Sequence, residues 1–375
     1  MRARRLQVAF FSVAIVLAWQ ALIVHYRYGG NWTALFRTGE LFAPPAELKS
    51  EHIYRLPGPG YDGQFYHYIA HDPLMTRDFA KSIDAPRFRY RRIFVPAAAF
   101  VLALGQDRAI DFAYVAVFAL SVFLGSYWLS RFAVSQGLSA EWGLLFCLAP
   151  AVAVSADRLT VDATLAACCT GFALYLQERS DRKLYAVITA AALTRETGLL
   201  LIAACVLFLL RNRDFRRAIL FSTAVIPVAC WYLFVELHTT PGGESFFSPV
   251  LFAGLFHRIR SPFPYPFAGL AAPILRILDL LALAGIGAAL AWAFYRVFGH
   301  ARSPVTVAVW LFAALTVTLS SADAWSEINA FGRTLTPLVL LSALDGLAIG
   351  SMFPVYAMLA LDPRIGFQFA AQILS

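Results

Sequence analysis

Continuous apolar runs, each about as long as a lipid bilayer is thick, recur along most of this 375-residue chain. About 20 consecutive apolar residues make one membrane-spanning helix, and unbroken runs differ from the alternating pattern of transmembrane barrel strands. Only 14% of the residues are charged, whereas a soluble domain has about 25%. The sequence therefore predicts an all-α fold, a polytopic transmembrane helix bundle that forms a single integral-membrane domain over residues 1–375.

The runs predict about ten spanning helices. Residues 92–106 are apolar but too short to span, which indicates a re-entrant or interfacial helix. The long run 184–210 contains Thr194–Thr197 (TRET) at its centre, and an Arg and a Glu in lipid are costly, so we expect two short helices that meet at a hairpin. The other runs are 7–24, 112–130, 141–156, 160–177, 217–236, 270–295, 304–320 and 335–357.

Basic residues assign the two sides of the membrane. Arg2, Arg4 and Arg5 precede the first run, which indicates an uncleaved helix that starts in the cytoplasm. The polar segment 25–91 is then a large extracytoplasmic loop. A rival arrangement, in which 92–106 spans and 184–210 is one helix, brings two rather than four of the distinguishing basic residues inside. The positive-inside rule favours the first arrangement, a cytoplasmic (inner) membrane protein with both termini cytoplasmic.

This arrangement places the unusual polar residues on the outer side of the membrane. They come from well-separated segments, which predicts a site at the outer membrane surface. The residues are Asp62, Asp157, Arg158, Asp162, Arg195, Glu196, Asp323, Glu327 and Arg333.

Asp62 is the strongest candidate for a catalytic group. Glycines flank it in Gly58–Gly63 (GPGYDG), and an aromatic-rich helical stretch follows as far as Asp72. Backbone N–H groups at a helix start keep a carboxylate ionised, and an ionised carboxylate can act as general base toward a hydroxyl. The alternative is that Asp62 only caps this helix.

Arginines supply the candidate anion-binding groups. Four of them lie in the segment 87–92 (RFRYRR), where the loop meets the membrane, and guanidinium groups bind phosphate bidentately. Binding of ordinary anionic lipid is the alternative there. Arg195–Glu196, Asp162 and Arg333 are further candidates, for which the alternatives are a self-neutralising pair, a hairpin cap and a snorkelling arginine.

Other chemistries have little support. The five cysteines lie inside apolar runs as small core residues, and no nucleotide-binding or zinc-hydrolase motif occurs. The net charge is +8, and the excess basic residues lie in short loops. This position indicates a role in membrane topology and lipid contact and not in nucleic-acid binding. His67 and His71 are spaced i, i+4, but no third ligand is evident at a fixed spacing. We therefore expect no cofactor, and a divalent metal is possible but not favoured.

The chain resembles the GT-C superfamily of multispanning glycosyltransferases, and within it bacterial cell-surface glycopolymer formation proteins. The matching segments are Gly60–Tyr66 (GYDGQFY) with Asp72–Pro73, Tyr90–Ile93 (YRRI) with Pro96, Leu193–Leu199 (LTRETGL), and Phe331–Arg333 (FGR) with Pro337. The resemblance implies a large outer loop over a helical bundle and a polyprenyl-phosphate-sugar donor. Many relatives have Asp-x-Asp in that loop, whereas this chain has Gln64 at the second position, which favours metal-free transfer.

The resemblance also implies roles for individual residues. Asp62 would be the base in an inverting transfer to a glycan, lipid or protein acceptor, and arginines would stabilise the departing lipid phosphate. Helical grooves would hold the lipid tail among membrane lipids. The expected phosphate-binding residues are Arg91, Arg92, Arg195 and Arg333, and the expected sugar- or acceptor-binding residues are Tyr61, Gln64, His67, Asp162 and Glu196.

Three other functions stay open. A transporter or flippase of lipid-linked sugars also uses intramembrane ion pairs and broken helices, although the chain has no internal repeat. A non-catalytic subunit of an envelope polysaccharide assembly complex would tolerate loss of Asp62. A ligase would require a lipid-pyrophosphate glycan instead of a monophosphate.

Overall fold

The computed structural model describes residues 2–50, 52–240, 247–265, 271–299 and 303–374. The helices of the first half are α1 (Arg2–Arg27), α2 (Asp62–His71), α3 (Pro86–Tyr90), α4 (Phe94–Leu102), α5 (Asp107–Ser135), α6 (Pro150–Arg158), α7 (Asp162–Gln177) and α8 (Asp181–Thr194). Those of the second half are α9 (Leu199–Arg211), α10 (Phe215–Ser222), α11 (Val225–His238), α12 (Ala253–Arg260), α13 (Ala271–Phe298), α14 (Pro304–Thr318), α15 (Ile328–Ala348), α16 (Phe353–Leu359) and α17 (Asp362–Leu374).

Short 3-10 helices and one small sheet complete the described structure. The 3-10 helices are Trp32–Phe36, Ala46–Ser50, Phe79–Ser82, Ala140–Leu148 and Glu196–Gly198. Strands β1 (Thr38–Gly39) and β2 (Arg55–Leu56) pair in parallel, Thr38 with Arg55 and Gly39 with Leu56. The predicted all-α class is confirmed.

Several helices are long and apolar enough to cross a membrane, as expected for a multi-pass membrane protein. Within the described ranges they are α1, α5, the stretch Phe215–His238 and α13, with a fifth if the pair formed by Ala140–Leu148 and α6, bent by 58°, counts as one span. Ten spans are not confirmed by this criterion. Several remaining apolar helices are short, since α7 has 16 residues and would extend only about 24 Å.

The run 184–210 folds back on itself, as predicted. Helix α8 ends at Thr194, Arg195 is extended (φ −157°, ψ 143°), and α9 then runs away from the break. Asp181 at the start of α8 bonds Arg217, just beyond α9, with Nε 3.1 Å from Oδ2. This contact requires α8 and α9 to run in opposite directions, so Arg195 and Glu196 lie at the tip of a hairpin. The segment 92–106 also does not span, because α4 has only nine residues.

The bundle has two ends, which we call the loop end, where α2 and the starts of α5 and α7 lie, and the far end. Arg4 of α1 bonds Glu141 at the far end, 2.6 Å apart. Arg27, the last residue of α1, donates to the backbone oxygen of Gln372 in α17 at 3.1 Å, about 39 Å along the helix from its start.

The described chain therefore starts and finishes at opposite ends of the bundle. That both termini are cytoplasmic stays a prediction, which this arrangement of the described ends does not favour. Helices α16 and α17 return the chain to the loop end, although the residues after Leu361 contain no apolar run that would predict this return.

One hydrophobic core joins the bundle to the loop. It contains buried side chains of α1, α5, α7 and α15, and it continues into α2 through Phe65, Tyr66 and Ile69. The loop is therefore packed on the bundle, and its polar residues are held against the helix ends.

Candidate functional site

A close crossing of two loop segments fixes the start of α2. Gly39 and Gly60 pass so closely that a Cβ on Gly60 would lie 2.6 Å from the backbone oxygen of Arg37. Gly60 has φ +74°, a conformation that glycine adopts without strain. The backbone N–H of Tyr61 donates to the same Arg37 oxygen at 2.9 Å. Asp62 follows at once, so its position is set by backbone contacts.

Asp62 lies between two arginines. One carboxylate oxygen forms an ion pair with Arg89 at 3.0 Å, and the other accepts from Arg333 of α15. Burial alone would raise the pKa of Asp62, but the charges of Arg333 and Arg89 outweigh it and hold the pKa well below its usual range. The N-cap of α2 is Tyr61, so the capping alternative for Asp62 is wrong, and the arginines are the main groups that keep its carboxylate ionised.

Arg333 joins Asp62 to a second buried carboxylate. Its other terminal nitrogen lies 3.0 Å from Asp162, the first residue of α7, whose side chain is 1% exposed. Asp162 also pairs with Arg195 at the hairpin tip, and Arg195 donates to Thr334 at 3.3 Å. Residues from the loop, α7, the hairpin and α15 therefore form one ionic network.

Arg92 and Glu196 bring the loop and the hairpin tip together. Two nitrogens of Arg92 donate to the two carboxylate oxygens of Glu196 at 2.9 and 2.6 Å, and a third donates to the Tyr66 hydroxyl at 2.7 Å. Glu196 also lies 3.9 Å from Arg195. The Glu196 side chain is 33% exposed, so this carboxylate is the more accessible end of the network.

The arginines of the segment 87–92 divide into two faces. Arg89 and Arg92, spaced i, i+3, point into the network, and Arg89 also bonds Asp84 at 2.7 Å. Arg91 pairs instead with Glu236 of α11, as does Arg87. Arg91, singled out to bind phosphate, lies outside this network, whereas Arg89, a candidate only as one of the four arginines of this segment, is part of it. The helical spacing contained the signal, but only the packing of α3 decides which face is inside.

Tyr61 is held between two guanidinium groups. Arg158 lies 4.5 Å and Arg333 5.0 Å from the centre of its ring, and its hydroxyl donates to the backbone oxygen of Asn329 at 2.9 Å. Burial raises the pKa of Tyr61 to about 12. Arg158 pairs further with Glu327 at 3.6 Å. The Tyr61 side chain therefore packs against Arg333, a partner of Asp62, and against Arg158, which lies outside the network.

Gln64 and His67, both predicted to bind sugar or acceptor, are fully buried. The amide of Gln64 accepts from the backbone of Gly39 at 3.0 Å and donates to that of Pro59 at 2.9 Å. Gln64 thus cross-links the loop. His67 faces Asp111 of α5 at 2.6 Å, in a separate cluster.

The network is electrically balanced. It contains four carboxylates, those of Asp62, Asp84, Asp162 and Glu196, and four guanidinium groups, those of Arg89, Arg92, Arg195 and Arg333. Among the described residues, the buried Nε–H groups of Arg195 and Arg333 have no hydrogen-bond partner. An unsatisfied buried donor costs about 1–3 kcal/mol, so folding stability does not account for the placement of these two arginines.

A cavity of about 400 Å³ lies at the far end of the bundle, lined by residues that include Phe132, Gln136 and Arg217. It is remote from Asp62, because α5 separates the two ends by about 40 Å.

Comparison with family models, with curated proteins and with solved structures gives no match to this chain. The functional argument therefore rests on the residues themselves.

Proposed function

We propose that the protein is a glycosyltransferase that transfers a sugar from a polyprenyl-phosphate-linked donor to an acceptor hydroxyl at the outer face of the cytoplasmic membrane, in the formation of a cell-surface glycan. The observation that supports this proposal most directly is the contact of Asp62 with Arg333, 271 residues away in the sequence. A carboxylate and several guanidinium groups at one point are what proton removal beside a departing phosphate requires.

Stability alone gives little reason for such a network. Desolvation of buried ion pairs offsets most of their attraction, and apolar replacements are often as stable. Charged groups at membrane depth are accordingly functional candidates. The residues from the loop, α7, the hairpin tip and α15 were predicted from separate segments, and their contact supports a common role.

The reaction proceeds by inversion at the anomeric carbon. Asp62 takes the proton of the acceptor hydroxyl, whose oxygen forms the new bond to the sugar. The bond between the anomeric carbon and the phosphate oxygen breaks, and the polyprenyl phosphate leaves with the electron pair and one additional negative charge. Arg333, Arg195 and Arg92 stabilise that charge. Glu196, at the accessible end of the network, is placed to orient sugar hydroxyls.

Donor binding also activates the base. With its pKa held low by Arg333 and Arg89, Asp62 is a weak proton acceptor. A phosphate that binds these arginines offsets their positive charge and raises the pKa of Asp62, since a carboxylate becomes more basic as nearby positive charge is neutralised. The general base therefore becomes effective only when donor is present.

Two matched variants test the proposal. Asp62→Asn removes the base, whereas Asp84→Asn removes a carboxylate that contacts the same Arg89 (2.7 Å) and leaves Asp62 intact. We expect Asp62→Asn to lower polyprenyl phosphate release from short-chain polyprenyl-phosphate hexoses or pentoses by about 10²–10⁴-fold. Asp84→Asn should stay within a few-fold of wild type. Surface-glycan complementation of a deletion strain at matched expression gives the cellular readout.

The assay in detergent separates the rival functions. A transporter moves lipid-linked sugar across a bilayer but releases no polyprenyl phosphate in detergent. Active flipping in vesicles without polyprenyl phosphate release in detergent would therefore favour a transporter. Full glycan rescue by Asp62→Asn would favour a non-catalytic subunit. Turnover only with lipid-pyrophosphate glycans would identify a ligase.

A further inference from the structure

A second polar cluster lies where α2 meets the start of α5. His67 and His71 are one helical turn apart on α2, and they face Asp107 and Asp111, one turn apart on α5. The Nε2 atoms of the two histidines are 3.2 Å apart, and the His67 Nε2 is 2.6 Å from Asp111 Oδ1. Both imidazoles are buried, and one atom from each of His67, His71 and Asp111 lies within 4.8 Å of the others.

The hydrogen bonds around this cluster direct the acceptor atoms of His67, His71 and Asp111 toward one point. Asp107 accepts from Arg77 at 2.8 Å and lies 2.8 Å from His71 Nδ1. An ionised carboxylate only accepts, so the proton of neutral His71 is on Nδ1 and its Nε2 presents a lone pair. One N–H of His67 cannot donate well to both Asp111 and His71. A cation at the same point would be within reach of all three atoms.

We infer that His67, His71 and Asp111 form a binding site for a divalent transition metal, with Asp107 orienting His71 from behind. Two imidazoles and one carboxylate are a ligand set for Zn²⁺ and related first-row ions. Ligands about 2.0–2.1 Å from a tetrahedral Zn²⁺ are ~3.3 Å apart, close to the 3.2 Å between the two Nε2 atoms. Metal binding would lengthen the 2.6 Å between His67 Nε2 and Asp111 Oδ1.

The charges and the hydrogen bonds around the three ligand atoms are also those expected of a metal site. Asp107, Asp111 and Arg77 sum to one negative charge, which a cation offsets. A carboxylate behind a ligating histidine is the usual outer partner of such sites. Phe36 stacks on the His67 ring, with centroids 3.9 Å apart, and holds its orientation. The metal would tie α2, the helix that Asp62 begins, to the membrane helix α5.

This site is separate from the Asp62 network. His67 is five residues beyond Asp62, about 7.5 Å along the helix, and the absence of Asp-x-Asp at Asp62–Gln64 does not affect it. The inference does not depend on glycosyl transfer, and its test does not use activity.

Metal content and stability of the full-length protein test the inference. The protein, carrying an affinity tag without histidines, is purified in detergent, stripped with chelator, equilibrated with Zn²⁺ and desalted. We expect one Zn²⁺ per chain, and a melting temperature that rises with Zn²⁺ concentration as binding to the folded state requires. His71→Gln should abolish stoichiometric binding, and Asp107→Asn should weaken it about 10–100-fold.

His238→Gln is the matched control, because His238 is exposed and its Nδ1 bonds the backbone oxygen of Phe234 at 2.8 Å. It should bind like wild type. Co²⁺ in the wild-type protein should give the intense visible bands of a four- or five-coordinate site, a readout that needs no variant. The inference would be overturned if wild-type protein retained no more Zn²⁺ than His71→Gln, or if His238→Gln lost as much Zn²⁺ as His71→Gln. It would also be overturned if Co²⁺ gave only the weak bands of a six-coordinate ion.

Discussion

Replacement of Arg333 by Met removes the residue that links two carboxylates. Of the ion-pair partners among the described residues, Asp62 then keeps Arg89 and Asp162 keeps Arg195. Each carboxylate loses one charge-assisted hydrogen bond, and such bonds contribute about 1.5–3 kcal/mol each. The expected loss is about 3–5 kcal/mol, the range for a buried ion pair that loses one partner. Because the Arg333 side chain is only 9% exposed, water cannot replace it.

The free energy of unfolding is measured by SDS titration in mixed micelles. Arg4→Met is the control, since Arg4 and Glu141 are 61% and 44% exposed and such a pair is worth less than about 1 kcal/mol. The double variant Arg333→Met/Asp62→Asn should lose less than the sum of its single variants, because the second change removes a charge that the first left under-paired. An Arg333→Met loss no larger than that of Arg4→Met would refute the reasoning.

Three further results are expected. Gly63→Ala places a methyl group against backbone oxygens, 2.9 Å from one of them, and should cost about 1–3 kcal/mol in SDS unfolding, whereas Gly287→Ala, in open space, should cost nothing. Because the pKa of Asp62 lies below its ordinary value of 3.8, its stabilisation is complete above that pH and is lost only below it. The stability difference between wild type and Asp62→Asn should thus be equal at pH 5 and pH 8, and a difference that shrinks by pH 5 would contradict this. Cysteines at Asp323 and Arg179, both exposed and at opposite ends of the bundle, should label only from opposite sides of the membrane in a cysteine-free background.

The sequence was sufficient to bring much of the site together. The cost of charge in lipid predicted the break at Arg195, and the hairpin follows from it. Helix direction then placed Asp162, Arg195 and Arg333 at the same end as Asp62. These inferences succeed because they depend on chain direction and on dielectric cost, both of which are local properties of the sequence.

Which helices pair with each other could not be predicted from the sequence. His67 and His71 were visible as an i, i+4 pair, and so in principle were Asp107 and Asp111, but only packing brings α2 against α5. Arg89 and Arg91 differ by two positions and contact different partners because α3 turns one face inward. The polar α17 has no apolar run, so its return to the loop end could not be inferred from hydropathy.

The position of α17 has a practical consequence for handling this protein. Gln372 contacts Asp157 at 3.3 Å, Gln368 contacts Asn329 at 3.0 Å, and Asn329 holds Tyr61 through its backbone oxygen. A fusion partner or affinity tag joined directly to the end of α17 would therefore disturb the contacts that reach Tyr61 through Asn329. An affinity tag is better placed before Arg2, at the far end of the bundle, where the start of α1 is exposed.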